Sequence, residues 1–263
     1  MIYINCIMDN LIGVKSVRKV ALVTGSSRGI GREIVRQFAQ VGYNVVVTYN
    51  KEKEKADQLA VEVESMGVEC LTIQCNIADE EEVKTMVDAV INKWGHIEVL
   101  VNNAGIAIDS LFQDKTVDNF RKTLDVNLIG TFLVSKYVGE HMYQNKYGKI
   151  INIASTNGIN TYYPMCLDYD ASKAGIISLT HNLAIQFAPY VNVNAVAPGF
   201  IATESEISGM NEEFVAMEEE KVLVRRAGTE EDVANVVLFL ASDKARFVNS
   251  EVIRVDGGVY GNY

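Results

Sequence analysis

The chain has 263 residues, of which 48% are hydrophobic, and a formal net charge of −10 at pH 7. A chain of this length can bury a large core, and its three prolines, without low-complexity runs or internal repeats, favour one compact unit. The acidic balance disfavours nucleic acid and membrane surfaces as partners, because both are bound mainly through clustered Lys and Arg. No window approaches the roughly 20 uninterrupted apolar residues that a membrane span needs. We therefore expect a soluble protein, and its cysteines, which include no Cys-x-x-Cys pair, fit a reducing cytoplasm.

Neither the cysteines nor the histidines form a metal-binding pattern. The four cysteines include no Cys-x-x-Cys pair, and the three histidines are scattered, so we predict no metal site and no disulfide framework. Residues 1–18 lack the basic start and the small-residue cleavage site of a secretory signal. We treat them as an N-terminal extension without an assigned function.

A glycine-rich turn follows the first predicted strand. The apolar run Val20 to Val23 is followed by Thr-Gly-Ser-Ser-Arg-Gly-Ile-Gly and then by a helical pattern. Unpaired N–H groups at a helix start carry the positive end of the helix dipole, and glycines let a pyrophosphate approach them. Such a turn also serves ordinary strand–helix packing, but here both flanking elements are predicted. The predicted phosphate-binding residues are Gly25, Ser27, Arg28, Gly29, Ile30 and Gly31.

Strands and helices alternate along the chain. After the first unit, strands are predicted at 44–48, 68–74, 97–101, 149–154, 191–196 and 251–255. Helices are predicted at 51–66 and 80–94, as a pair over 116–146, in a segment that contains Tyr169, and at 229–241 with a Thr229 cap. This order predicts an α/β fold, a Rossmann-like doubly wound parallel sheet of about seven strands with helices on both faces. Ligands of such sheets bind at the carboxyl ends of the strands.

The motifs at those strand ends resemble the short-chain dehydrogenase/reductase family. The spacing Gly-x-x-x-Gly-x-Gly after a threonine is similar to its cofactor motif, and Asn102-Asn103-Ala104-Gly105 follows the fourth strand, although alone it reads as a turn. The resemblance runs from Lys19 to about Tyr260. It implies one dinucleotide-binding catalytic domain over 19–263 with a substrate lid at 200–226. It also implies cofactor contacts from Asn103, Ala104, Gly105, Pro198, Gly199, Ile201 and Thr203.

The end of the second strand bears on which cofactor is used. Family members that prefer NAD commonly carry an acidic residue there, whereas this chain has Tyr49, Asn50 and Lys51. Lys51 and Arg28 could bind a 2′-phosphate through charge-assisted hydrogen bonds, so we predict NADP(H). If both are ordinary surface charges, NAD(H) is possible. Asn76-Ile77 stands where the family usually has Asp-Val beside the adenine.

Tyr169 and Lys173 lie four residues apart, on one face of a predicted helix. A tyrosine beside a fixed cation gives up its proton more readily and can act as a general acid toward a carbonyl oxygen. The resemblance implies a catalytic set of Asn127, Ser155, Tyr169 and Lys173, in which Asn127 supports a water chain. It also implies that Tyr169 and Lys173 contact the cofactor, with Lys173 holding the nicotinamide ribose. The loop before Tyr169 is slightly longer than usual in the family, which leaves Ser155 or Thr156 as the substrate-facing hydroxyl; we favour Ser155.

The substrate is less defined by the sequence. The chain looks most similar to 3-oxoacyl-[acyl-carrier-protein] reductases, but Glu140 and Ile185 stand where those enzymes typically place arginines for the acidic carrier. A small ketone, a sugar or polyol derivative, or a free or CoA-linked acyl group is at least as compatible. A non-catalytic dinucleotide sensor has no need of Ser, Tyr and Lys together, and sugar epimerases or dehydratases carry a different glycine spacing.

Two further features of the family are compatible with the sequence. Met210, Phe214, Met217 and Leu223 are either apolar substrate contacts of the lid or the inner face of short helices. The resemblance also implies a homotetramer that pairs helices at about 127–146 and 168–189. The apolar residues of the first helix that fit either such an interface or the core are Phe132, Val134, Tyr137 and Val138.

Overall fold

The computed structural model describes residues 18–160, 163–203 and 210–259. Seven parallel strands form one sheet in the order β3-β2-β1-β4-β5-β6-β7. The strands are β1 (Val20–Val23), β2 (Asn44–Tyr49), β3 (Cys70–Gln74), β4 (Val99–Asn102), β5 (Gly148–Ile153), β6 (Val191–Pro198) and β7 (Val252–Val255). The α-helices are α1 (Gly29–Gln40), α2 (Lys53–Glu64), α3 (Glu80–Trp94), α4 (Val117–Leu124), α5 (Gly130–Gln144), α6 (Leu167–Gln186), α7 (Glu212–Lys221) and α8 (Glu230–Ala241). The predicted doubly wound fold is confirmed.

The helices cover both faces of the sheet, which explains why its central strands are apolar along their whole length. On one face, α1, α2 and α8 pack Phe38, Leu59 and Leu240 against the strands. On the other face, α3 and α5 contribute Met86 and Met142. The strand order reverses between β1 and β4, so the carboxyl ends of these two strands open a crevice.

Most predicted elements lie within two residues of their observed ends. β6 is longer than predicted because its ladder with β7 continues to the pair Pro198 and Val255. Proline is tolerated at this last position, where it need not donate to the ladder. The predicted cap of α8 is present: Thr229 Oγ1 accepts from Asp232 N at 3.2 Å, and Asp232 Oδ2 accepts from Thr229 N at 2.8 Å.

Within the described ranges, no helix combines the length and the apolar character needed to cross a bilayer. The N-terminal extension up to residue 17 and the lid segment 204–209 lie outside the described residues. The predicted division into extension, domain and lid therefore stays a prediction.

Candidate active site

The glycine turn after β1 is joined to the turn after β4. Gly25 has a φ of +61°, which suits glycine, and a Cβ there would lie 2.8 Å from Ala104 Cα. Asn103 Nδ2 donates to Thr24 O at 2.9 Å and to Gly25 O at 3.1 Å. The Thr24 hydroxyl in turn accepts from the backbone N–H groups of Asn103 and Ala104, both at 3.0 Å. Two predicted motifs thus form one wall of the crevice.

This crevice is a cleft of about 1010 Å³ at the carboxyl ends of the strands. The predicted cofactor residues that line it are Gly25, Ser27, Arg28, Gly29, Ile30, Gly31, Tyr49, Asn50, Lys51, Asn76, Ile77, Asn103, Ala104, Gly105 and Thr203. At its phosphate end the side chain of the N-cap residue Arg28 makes no capping hydrogen bond to the first amides of α1. The cleft therefore offers the donors that a dinucleotide pyrophosphate requires.

Five predicted cofactor residues are not among those that line this cleft: Tyr169 and Lys173 on α6, and Pro198, Gly199 and Ile201 at the end of β6 and just after it. Pro198 ends β6, and a Cβ on Gly199 would lie 2.6 Å from Asp256 Cβ, so this turn packs against the end of β7. Ile201 is buried in the hydrophobic core and forms a parallel bridge with Gly228. The side chains of Pro198 and Ile201 therefore serve packing, and only backbone atoms of this segment could reach a ligand.

Two cations lie at the end of the cleft formed by α1 and β2. Arg28 and Lys51 are both exposed, line the cleft and form no ion pair within the part of the chain that the structure describes. The backbone beside Lys51 is held by Gln74, whose Nε2 donates to Asn50 O at 2.9 Å. The acidic Glu52 also lines the cleft but pairs with Lys55 at 3.5 Å.

Asn76 and Ile77 lie in the turn after β3. Asn76 Oδ1 accepts from Ala78 N at 3.3 Å, and Asn76 N donates to Glu82 Oε2 at 2.7 Å. Ile77 packs so closely on Gly130 that a Cβ there would lie 2.7 Å from its Cδ1. The turn is thus fixed against the start of α5.

Asn127 lies in a π-helical turn, Asp125–Ile129, between α4 and α5. Its side chain is fully buried, and its Oδ1 accepts from Ile106 N at 2.8 Å. Its Nδ2 donates to Ile106 O at 2.9 Å and to Ser172 Oγ at 3.0 Å. Both amide donors are therefore used to hold the turn after β4 against α6. The predicted role in a water chain stays a prediction.

Lys173 is buried between β5 and the turn after β4. Its Nζ donates to Ile153 O at 2.7 Å and lies 5.4 Å from the centroid of the Tyr169 ring. A Cβ on Gly105 would lie 3.8 Å from this Nζ, so the ammonium borders the cleft wall. Burial lowers the pKa of Lys173 from 10.5 to about 8. Tyr169 and Lys173 thus share the helix face expected from their spacing.

Ser155 follows β5 and caps a short 3₁₀ turn, Thr156–Gly158. Its Oγ accepts from Asn157 N at 3.2 Å, which leaves the hydroxyl hydrogen available to another acceptor. Ser155 is 8% exposed and Thr156 is 3% exposed. A Cβ on Gly158 would lie 2.6 Å from the carbonyl carbon of Lys173, so this turn sits directly on α6.

The sequence analysis missed the wall of the cleft that α4 and the π-helical turn after it form. This wall consists of Asp118, Arg121, Lys122, Asp125 and Val126. These residues belong to no recognised motif. The one sequence feature that marked them was their position shortly before Asn127.

Comparison with known proteins agrees with this geometry. The sequence profile of a family described as Enoyl-(Acyl carrier protein) reductase matches residues 25–260. The chain is 41% identical over 243 residues to the 3-oxoacyl-[acyl-carrier-protein] reductase FabG of Staphylococcus aureus, covering 92% of this chain and 98% of that protein. It is 39% identical over 249 residues to FabG of Aquifex aeolicus, covering 94% and 99%.

A solved structure gives the same result. The crystal structure of acetoin dehydrogenase YohF from Salmonella typhimurium superposes with a TM-score of 0.84 at 30% identity, covering 94% of this chain and 97% of that one. Fold and site define an oxidoreductase that acts between a carbonyl and a secondary alcohol with a nicotinamide dinucleotide. The chain belongs to the short-chain dehydrogenase/reductase family.

Proposed function

We propose that this chain is an NADP(H)-dependent reductase of 3-oxoacyl thioesters, with Tyr169 as its general acid. The observation that carries the proposal is the pair of Tyr169 and Lys173 on one face of α6, with the Lys173 ammonium beside Gly105 of the cofactor cleft. Its similarity over nearly the whole chain to 3-oxoacyl-[acyl-carrier-protein] reductases supports the choice of substrate class.

The cleft fits a dinucleotide, since it has helix amides that the Arg28 side chain does not cap, and since the Lys173 ammonium lies directly behind Gly105 of its wall. When bound, the nicotinamide supplies or accepts a hydride at the substrate carbon. The Tyr169 hydroxyl gives its proton to the carbonyl oxygen, and the Ser155 hydroxyl donates a hydrogen bond to the same oxygen. Lys173 favours the tyrosinate that remains and holds the nicotinamide ribose.

The preference for NADP(H) rests on Arg28 and Lys51. Both are exposed cations on the wall of the cleft at the end of β2, without an ion-pair partner among the described residues. A 2′-phosphate placed between them would gain two charge-assisted hydrogen bonds that NADH cannot form. The free thiols of Cys70, Cys75 and Cys166 support a reducing, cytoplasmic location.

A small ketone, sugar or polyol is the second candidate substrate. Glu140 and Ile185 are both exposed, so neither offers a cation to an acidic carrier protein, and Ile185 is 72% exposed. The similarity to an acetoin dehydrogenase is compatible with this alternative.

The test is titration of the purified protein with NADPH and NADH, followed by loss of nicotinamide absorbance with an acetoacetyl thioester. We expect tighter binding of NADPH, and an Arg28→Ala/Lys51→Ala variant should lose about tenfold or more of its NADPH affinity, since two charge-assisted hydrogen bonds disappear. NADH binding by that variant should be unchanged. Equal affinity of the wild type for both cofactors would contradict the role of the two cations.

The matched chemical control is Tyr169→Phe, which keeps the ring and removes the proton donor. We expect normal NADPH binding and a loss of turnover of about 100-fold or more. If this variant keeps near wild-type turnover, Tyr169 is not the general acid. If NADPH binds but is not oxidised when the thioester is added, the result would favour a ketone or a sugar as the substrate.

A further inference from the structure

Asp168, the residue before Tyr169, forms a buried ion pair with Lys115. Lys115 Nζ lies 2.8 Å from Asp168 Oδ1, and the two side chains are 4% and 0% exposed. In every other ion pair of the described ranges, at least one side chain is substantially open to solvent. A pair this buried is costly to desolvate, and apolar residues often replace such pairs without loss of stability. The role of this ion pair therefore depends on the segments that it joins.

The pair joins three segments around the candidate site. Lys115 Nζ also donates to Ile108 O, and this hydrogen bond links the two ends of the stretch 108–115 between β4 and α4. The second oxygen of Asp168 accepts from Thr123 Oγ1 of α4 at 2.8 Å. Asp168 itself lies in the first turn of α6, the helix that carries Tyr169 and Lys173. Burial opposes its ionisation, but the hydrogen bonds from Lys115 and Thr123 outweigh this effect and lower the pKa of Asp168.

The segment held by Lys115 also forms part of the cleft. Gly105, Ile106, Ala107 and Ile108 line the cleft, and the only regular structure between β4 and α4 is the short 3₁₀ turn Phe112–Asp114. Two further contacts tie this segment to the chain before α6: Ser110 N donates to Met165 O at 3.1 Å, and Cys166 Sγ donates to Asp109 Oδ1 at 2.8 Å. Side-chain and backbone hydrogen bonds thus tie the cleft wall at 105–108 to the start of the helix that carries Tyr169.

A second carboxylate anchors the opposite side of Tyr169. Asp170 Oδ1 accepts from Asn157 Nδ2 at 2.7 Å, and its Oδ2 accepts from Tyr163 N at 3.2 Å. These bonds hold the segment after Ser155 on the same helical turn. Tyr169 therefore stands between two anchors, one for the segment after β4 and one for the segment after β5.

We propose that Lys115 and Asp168 are positioning residues whose buried ion pair sets the distance between the 105–115 segment and Tyr169, and thereby the alignment of a bound carbonyl with its proton donor. This inference rests on the proposed function of Tyr169. Misplacement of reacting groups by about 1 Å can cost about 100-fold in rate, so a loosened segment should lower kcat. The residues proposed to bind the cofactor's phosphates lie in the turns after β1 and β2, outside this segment, so NADPH affinity should change little.

Two variants separate positioning from simple stability. Lys115→Met leaves the Asp168 carboxylate buried without a cation, so its Tm should fall. The double variant Lys115→Met/Asp168→Asn removes that charge and keeps an acceptor for Thr123, so its Tm should largely recover. We expect kcat to be lower by about tenfold or more in both variants, with NADPH affinity within about twofold of wild type.

The control is Lys84→Met, which removes an exposed pair with Glu81 on α3 and should change neither Tm nor kcat. Recovery of wild-type kcat in the double variant would overturn the proposal, because the pair would then serve stability alone. Amide hydrogen exchange gives a readout without substrate: the double variant should exchange faster at 106–115 and in the first turn of α6. Unchanged exchange there would overturn the proposal even if the wild type turned over no thioester.

Discussion

Burial in the fold changes the ionisation of Lys173. Its ammonium is buried, and burial lowers its pKa to about 8, below the 10.5 expected in an unfolded chain. Between these two pH values the unfolded state binds more protons than the folded state, so this group makes the free energy of unfolding rise with pH. Below pH 8 Lys173 is charged in both the folded and the unfolded state, so the folded state carries the full free-energy cost of burying the charge.

We therefore predict a pH-dependent difference between wild type and Lys173→Met. The unfolding free energy of the wild type, minus that of the variant, should rise between pH 8 and pH 10 by up to about 3 kcal/mol. The measurement is urea unfolding at several pH values. Burial also raises the pKa of Cys75 and Cys166 to about 12. At high pH these thiols ionise in the unfolded state only, which lowers the free energy of unfolding equally in the wild type and the variant. A flat difference would show that Lys173 is not buried as a cation.

The candidate site could be predicted from the sequence wherever its residues are close along the chain. The glycine turn and the pair of Tyr169 and Lys173 are spacings within one or two helical turns, so each pattern carries its own geometry. The pair of Lys115 and Asp168 joins residues 53 positions apart, and no local pattern indicates that contact. Nor did any signal show that the side chain of Ile201 would face the core.

At the scale of single elements, α8 depends on a reciprocal cap. Asp232 accepts from Thr229 N, and Arg226 Nη1 lies 2.6 Å from Asp232 Oδ2. The guanidinium of Arg226, followed by the Thr229 backbone, lowers the pKa of Asp232 from 3.8 to about 2. This carboxylate therefore stabilises the fold above pH 4, and that contribution is lost as pH falls from about 4 through 2.

We predict that Asp232→Asn lowers the unfolding free energy at pH 7 by about 1 kcal/mol, the usual cost of weakening a cap. Urea unfolding at pH 7 and at pH 3 measures the effect, and the difference from wild type should shrink at the lower pH. Wild-type stability of the variant at pH 7 would show that the cap contributes nothing.

Element boundaries were less predictable than element types. Apolar runs and helical periodicity place the strands and helices, because burial imposes both patterns. The π-helical turn at Asp125–Ile129 and the 3₁₀ turn after Ser155 have no such period, and neither was predicted. Both lie at the candidate site, where packing between elements rather than local propensity decides the backbone.

At the scale of the whole molecule, the proposed homotetramer needs an unpaired helix face. Val134 and Val138 are fully buried in the core, so for these two residues the core face, and not the interface, is the alternative that holds. Tyr137 is partly buried, and its hydroxyl donates to Glu80. Phe132 is 42% exposed, and Ile129, one helical turn before it, is exposed too.

We therefore predict that Phe132→Asp reduces the assembly. Charge on an apolar contact face disfavours association, and the side chain already lies outside the core, so the folded protomer should be retained. Multi-angle light scattering of wild type and variant measures the mass, and circular dichroism checks the fold. A monomeric wild type at micromolar concentration would reject the tetramer itself.

The order of strands in the sheet also bears on how the protein is made. β1 pairs with β2 on one side and with β4 on the other, and β5, β6 and β7 then follow outward in chain order. On a ribosome, the edge of β1 that faces β4 has no partner until residue 102 has emerged, and each later strand adds to the newest edge. The residues proposed for the pyrophosphate and the 2′-phosphate are thus synthesised before Ser155, Tyr169 and Lys173. A nascent chain can form its phosphate-binding turns well before it is able to transfer a proton.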